Sequence, residues 1–352
     1  MKRTTVTVAL GALAMMAACV AEPTGPLPSG FARFESVPTS GSIGFETPAY
    51  SAGTINGQDG WTSLGAAGSG CAMYDHAVVA LGAFWAVPGF GSQSLRISNA
   101  VTSGCFGDQT FSKPVIDEAG ETNAYVLVPS GTRQARFTAQ WDFASAVPGA
   151  EQPGLSVVAS PDKGDGGRMS WVQMKDTPTG LEVNFYDYRD AIPYGSLATP
   201  SDGRGVEDDF VLTTVASGLS RTVPHTVRIE MDLIDGPHND VVKIFVDGVL
   251  KHTGTSWEDY FRWTQGPGDP EATAPVHESR VIRSMLFRTG GTSAPGTVGK
   301  GLLIDNLNLV SSSALIGPPT SAESCKNGGW KLFNNPVFKN QGDCVSFSKT
   351  GK

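Results

Sequence analysis

The chain is 352 residues long, with a formal net charge of −8 at pH 7, 43 glycines and 23 prolines. That acidic balance, with no basic tract set against it, excludes a phosphate-gripping nucleic-acid binder. The length suffices for a large core, and abundant glycine and proline favour short strands joined by turns, so one all-β domain accounts for most of the chain.

Residues 1–21 have the layout of an export signal, with Lys2 and Arg3 ahead of an apolar run from Val6 to Val20. Two processing readings compete. Cleavage after Ala21 would release a secreted protein. Met16-Ala17-Ala18-Cys19 resembles a bacterial lipoprotein box, with Met16 in place of the usual leucine, and would lipidate Cys19. Either way the chain is expected to be exported, secreted or held in the cell envelope, and to meet a membrane only through a lipid on Cys19. No second long apolar run predicts a transmembrane helix. Four cysteines remain, Cys71, Cys105, Cys325 and Cys344. In an oxidising compartment they predict two disulfides, and locality favours Cys71–Cys105 and Cys325–Cys344, with the other connectivities open. The absence of C-x-x-C counts against a zinc site.

Residues 22–41 are rich in Pro, Gly, Ser and Thr and read as a flexible linker. The folded part is expected over 42–312. Strand-like runs occupy 94–100, 124–129, 134–144, 168–175, 181–188, 210–215, 281–288 and 301–310, and a short helical turn covers 256–263. The clearest pattern is 223–254, a hairpin pair. Val227, Ile229, Met231 and Leu233 share one face, Arg228, Glu230 and Asp232 the other, and Asp247-Gly248 signals a tight turn. Strands at this spacing predict a two-sheet antiparallel β-sandwich. After a linker at 313–324, residues 325–352 form a small C-terminal segment, too short to bury a core alone, that a Cys325–Cys344 bridge would close.

Phe45-Glu46, Asn56-Gly-Gln-Asp-Gly-Trp61, His225-Thr-Val-Arg-Ile-Glu230, Val242-Lys-Ile-Phe-Val-Asp-Gly248 and Gly301-Leu-Leu-Ile-Asp305-Asn306 together resemble the concanavalin A-like lectin/glucanase (LamG-like) superfamily. The resemblance spans roughly 42–312 and implies a jelly roll. It says little about activity, because that superfamily includes lectins, glycosidases, lyases and inert adhesion modules. The C-terminal CKNGGW…FKNQGDC resembles a short motif on assorted exported bacterial proteins.

A jelly roll of this kind has a polar trough, and strand alternation assigns residues to it. Arg136 and Gln140, Trp171, Gln173 and Lys175, Asn184, Tyr186 and Tyr188, and Arg228 and Glu230 are expected to line one concave face. Planar multi-donor side chains beside aromatic plates suit sugar hydroxyls. The expected function is therefore non-catalytic binding of a polysaccharide or glycan. The alternative is a polysaccharide lyase or glycoside hydrolase on the same fold, and a third reading is a structural envelope protein without a ligand. Glu230-Met-Asp232-Leu-Ile-Asp235 echoes the glucanase E-x-D-x-x-E but ends in a turn, on a strand where that family does not keep its catalytic pair. The lyase Q-x-H is likewise broken, with Lys175 in place of His after Gln173. The resemblance also implies a structural calcium near the first and last strands, held by Glu46 and Asp305.

Overall fold

The computed structural model describes residues 42–63, 74–102, 109–113, 136–162, 168–188, 210–233, 240–257, 282, 284–312, 319, 321–326, 329–331, 333 and 336–351. The leader with Cys19, the 22–41 linker, Cys71, Cys105 and the 124–129 run lie outside them.

The described strands, numbered in chain order, make two antiparallel sheets. The eight-stranded sheet runs β1 (Gly53–Thr54), β3 (His76–Ala80), β4 (Gln93–Ile97), β15 (Leu302–Ser312), β6 (Arg136–Ser145), β11 (His225–Asp232), β12 (Val241–Val246) and β13 (Val249–Gly254). The seven-stranded sheet runs β10 (Phe210–Leu219), β9 (Gly180–Tyr188), β8 (Trp171–Thr177), β7 (Ser156–Asp162), β14 (Ser284–Thr289), β5 (Gln109–Phe111) and β2 (Thr62–Ser63).

Period-two alternation builds the core between them. Phe137, Ala139, Trp141 and Phe143 of β6, with Val227, Ile229 and Met231 of β11, are buried inward. They meet Val172, Met174, Val183, Phe185 and Phe287 of the opposite sheet. Trp141 donates its indole N–H to Met174 Sδ at 3.3 Å across the gap. Each large apolar side chain so buried contributes about 1.5–3 kcal/mol.

The Asp247-Gly248 turn joins β12 to β13 with φ of 51° and 75°, the paired positive values of a type I′ hairpin turn, which glycine adopts without strain. His225, at the start of β11, clasps it. One ring nitrogen lies 2.8 Å from Asp247 Oδ2 and the other 3.0 Å from the Ser220 carbonyl. β7 escaped the sequence reading because all seven of its residues are buried, which erases the alternation that marks a half-exposed strand.

At the C-terminus Cys325 and Cys344 are disulfide-bonded, with Cα atoms 5.6 Å apart. The segment also contains an unforeseen helix, α1 (Gln341–Thr350). The Asn340 side chain caps it by accepting from the Asp343 amide at 2.9 Å, and Gly351 ends it in the left-handed conformation. Cys325, Phe333, Phe338 and Cys344 form a small core of their own with Trp330, Val345 and Phe347.

Candidate functional site

The sheet assignment corrects the single trough expected above. Arg136, Gln140, Arg228 and Glu230 stand on β6 and β11 of the eight-stranded sheet. Trp171, Gln173, Lys175, Asn184, Tyr186 and Tyr188 stand on β8 and β9 of the seven-stranded sheet. Tyr188 is a buried member of the core and not a trough residue; the others alternate with the core residues of their strands, and the outer faces of two stacked sheets look in opposite directions. The two groups cannot touch one ligand together.

On the eight-stranded sheet the charges answer one another. Arg228 bonds Glu230 and lies over the Phe245 ring, 3.9 Å from its centroid. Arg136 lies 3.5 Å from Glu230 and 3.4 Å from Asp232, and Lys243 lies 3.7 Å from Asp232. Both carboxylates that invited an acid/base role are thus held by cations in a lattice of ion pairs.

The seven-stranded sheet presents a different surface. Cross-strand register sets Trp171 opposite Tyr186, Gln173 opposite Asn184 and Lys175 opposite Glu182. Asn184 and Tyr188 are buried, whereas Trp171, Gln173, Lys175 and Tyr186 are half-buried. Asn184 therefore works from beneath the surface. Its amide donates to Glu182 at 2.8 Å and to Gln173 at 3.3 Å, and its oxygen accepts from Thr214 at 2.7 Å. Gln173 in turn donates to Ser156 Oγ at 2.8 Å. These bonds fix the orientation of both amides.

Aromatic rings gather at the Trp171 end. Tyr186 lies 5.4 Å from Trp171 and Trp257 stacks on it at 5.7 Å. Phe210 meets Trp257 at 4.5 Å and Tyr188 at 5.0 Å. The guanidiniums of Arg168 and Arg288 lie 5.2 and 5.3 Å from the Trp171 ring. The Trp171 indole N–H is buried with no hydrogen-bond acceptor among the described residues. Burial pushes the Tyr186 phenol above its ordinary pKa. Sequence reasoning missed Trp257, Arg168 and Arg288. Tertiary structure alone brings these three to Trp171: Arg168 and Arg288 through the seven-stranded sheet, Trp257 through the segment that follows β13.

A separate acidic site surrounds Asp305, where β15 carries an irregularity between Asp305 and Asn308 and Asn306 takes a φ of 51°. Asp305 accepts from the amides of Asn306 at 2.8 Å and Gly91 at 3.1 Å. Glu46 accepts from the Gln93 amide at 2.9 Å and the Ser92 hydroxyl. Asn306 donates to Asp142 at 2.8 Å and to the Gly89 carbonyl at 3.0 Å. Burial, reinforced by repulsion from Glu46 and Asp142, pushes Asp305 up to about 7. Among the described residues no lysine or arginine pairs with Glu46 or Asp305, and no three His, Cys, Asp or Glu side chains converge as a metal centre. Calcium takes hard oxygen donors, and these two carboxylates would be the protein's charged ones.

No protein-family model and no curated protein matches the chain. Solved structures similar to it include an endo-1,3-beta-glucanase from Streptomyces sioyaensis, at 13% identity over 82% of this chain and 99% of that one, with a TM-score of 0.36. An endo-beta-1,4-glucuronan lyase from the fungus Trichoderma reesei has 13% identity, covers 79% and 97%, and has a TM-score of 0.35. An alginate lyase from Pseudomonas aeruginosa has 8% identity, covers 62% and 83%, and has a TM-score of 0.34. At such identities and overlaps, function rests on this chain's own side chains.

Proposed function

We propose that the outer face of the seven-stranded sheet binds a polysaccharide without cleaving it. The Trp171 indole supports this reading most. It is half-buried, backed by other rings, and carries a buried N–H without an acceptor among the described residues. Such a donor costs about 1–3 kcal/mol when unmet, so the indole is held in place by its neighbouring rings, and its half-buried face offers a plate on which a sugar's apolar face would stack. Gln173 and Lys175 continue the strip along β8 with further donors.

A polysaccharide lyase is the runner-up, because Gln173, Tyr186 and Arg288 share one sheet. Two features weigh against it. The described histidines, 76, 225 and 252, all belong to the eight-stranded sheet, and the raised pKa of Tyr186 makes its hydroxyl a poor base at neutral pH. Glycoside hydrolysis through Glu230 and Asp232 is disfavoured by the cations that hold both. A glycan array followed by incubation with each hit decides. Binding without new reducing ends or unsaturated sugar ends supports the binding module. New ends would make it an enzyme, and an array silent throughout would leave a structural envelope role. We propose in addition that Glu46 and Asp305 hold calcium, which would neutralise two carboxylates that pair with no lysine or arginine among the described residues.

A further inference from the structure

Trp257 comes from the other sheet. It follows β13, the edge of the eight-stranded sheet, yet its ring stacks on Trp171 of the seven-stranded one. The chain between them is nailed down at each step. The Thr255 amide donates to Asp187 Oδ1 at 2.9 Å. Its hydroxyl lies 3.0 Å from the same oxygen and 2.6 Å from the Tyr188 carbonyl. The Ser256 hydroxyl bonds Asp240. The Trp257 amide donates to the Met169 carbonyl at 2.9 Å, and its indole N–H to the Tyr186 carbonyl at 3.0 Å. The anchor, Asp187, is itself buried, with His252 Nε2 3.6 Å from its other oxygen. Gly254 passes so close that a Cβ there would lie 2.8 Å from that carboxylate, so the strap runs directly over Asp187.

We propose that Asp187 is a positioning residue for the glycan face. Through Thr255 it sets the strap 254–257, the strap sets Trp257, and Trp257 fixes the ring plane of Trp171. Trp257 is almost wholly buried, so it acts as a backing plate while Trp171 meets the ligand. The inference rests on the binding reading above but makes a separate spectroscopic claim. Two stacked indoles couple their ultraviolet transitions and give a paired circular-dichroism signal that neither gives alone.

The test uses the full chain with laminarin and alginate as probes. Trp171→Phe and Trp257→Phe should each abolish the paired signal and so assign it. Thr255→Val, which keeps shape but loses the hydroxyl's contacts, and Gly254→Ala, which pushes into Asp187, should weaken that signal. They should also lower affinity for the retained probe by roughly fivefold or more, with unfolding still cooperative. Asp187→Asn keeps an acceptor for Thr255 and should fall between wild type and Thr255→Val. An unchanged signal in both strap variants overturns the proposal, as does a lost signal with unchanged affinity. A wild type that binds no glycan overturns the binding reading instead, while the paired signal still reports whether the strap sets the two rings.

Discussion

Trp171 and Trp257 stack with centroids 5.7 Å apart and planes 29° from parallel, although Trp171 stands on the seven-stranded sheet and Trp257 follows the edge strand of the eight-stranded one. Trp171 is the half-buried member and the one with an unmet N–H. Trp171→Ala should therefore lower polysaccharide affinity by about 2 kcal/mol, roughly thirtyfold, measured by calorimetry or by retardation in a glycan-loaded gel. Trp171→Phe keeps a plate but not the donor and should lose less. Equal losses would show that the ring plate contributes nothing.

The opposite face should behave otherwise. Glu230→Gln removes the negative charge that Arg136 and Arg228 share, yet Arg136 keeps Asp232 and Arg228 keeps the Phe245 ring. Chemical denaturation should show a loss of about 1 kcal/mol or less, reduced further by salt, and glycan affinity should stay within about twofold of wild type. A tenfold loss of affinity would return the eight-stranded sheet to the site.

How much of this was legible beforehand follows from what each signal depends on. Alternation is local, so the inward faces of β6, β8, β9 and β11 and the Asp247-Gly248 turn could be read from neighbouring residues. Sheet membership is not local. Nothing in Arg136 or Arg228 says that their strands pair with each other and not with that of Trp171. The α1 helix did carry its signals in Asn340 and Gly351, but a ten-residue helix with Cys344 as its buried residue lacks the apolar stripe by which helices are recognised.

Asp305 makes stability depend on pH. Its folded pKa of about 7 lies above the 3.8 of an unperturbed carboxyl. Below about pH 4 both folded and unfolded chains hold the proton, and the group costs nothing. As pH rises the unfolded chain releases its proton first, so this contribution to stability falls until the folded group ionises near 7. In chelator, Tm should decline over that window more in wild type than in Asp305→Asn. Calcium should raise the wild-type Tm more at about pH 8 than at about pH 5, and do little for Asp305→Asn. A calcium effect equal in both chains would place any bound ion elsewhere.

Reduction of Cys325–Cys344, which closes a span of 19 residues, should remove about 3 kcal/mol from the C-terminal segment by loop entropy. Trp330 and Phe338 belong to that segment's own core, not to the sandwich core. Fluorescence of a chain whose other tryptophans are replaced by phenylalanine should lose the Trp330 signal on reduction, while far-ultraviolet strand content holds. Collapse of both together would show that the segment supports the sandwich.

The division of polar residues between two opposed surfaces has a consequence for crowded settings. If the aromatic side lies on a polymer, the sheet turned outward is one whose carboxylates Glu230 and Asp232 are already held by Arg136, Arg228 and Lys243. Neither carboxylate would then be left free to draw in a neighbouring molecule's lysines and arginines. Copies could line a strand side by side, spaced by their own bulk, without gluing one strand to the next.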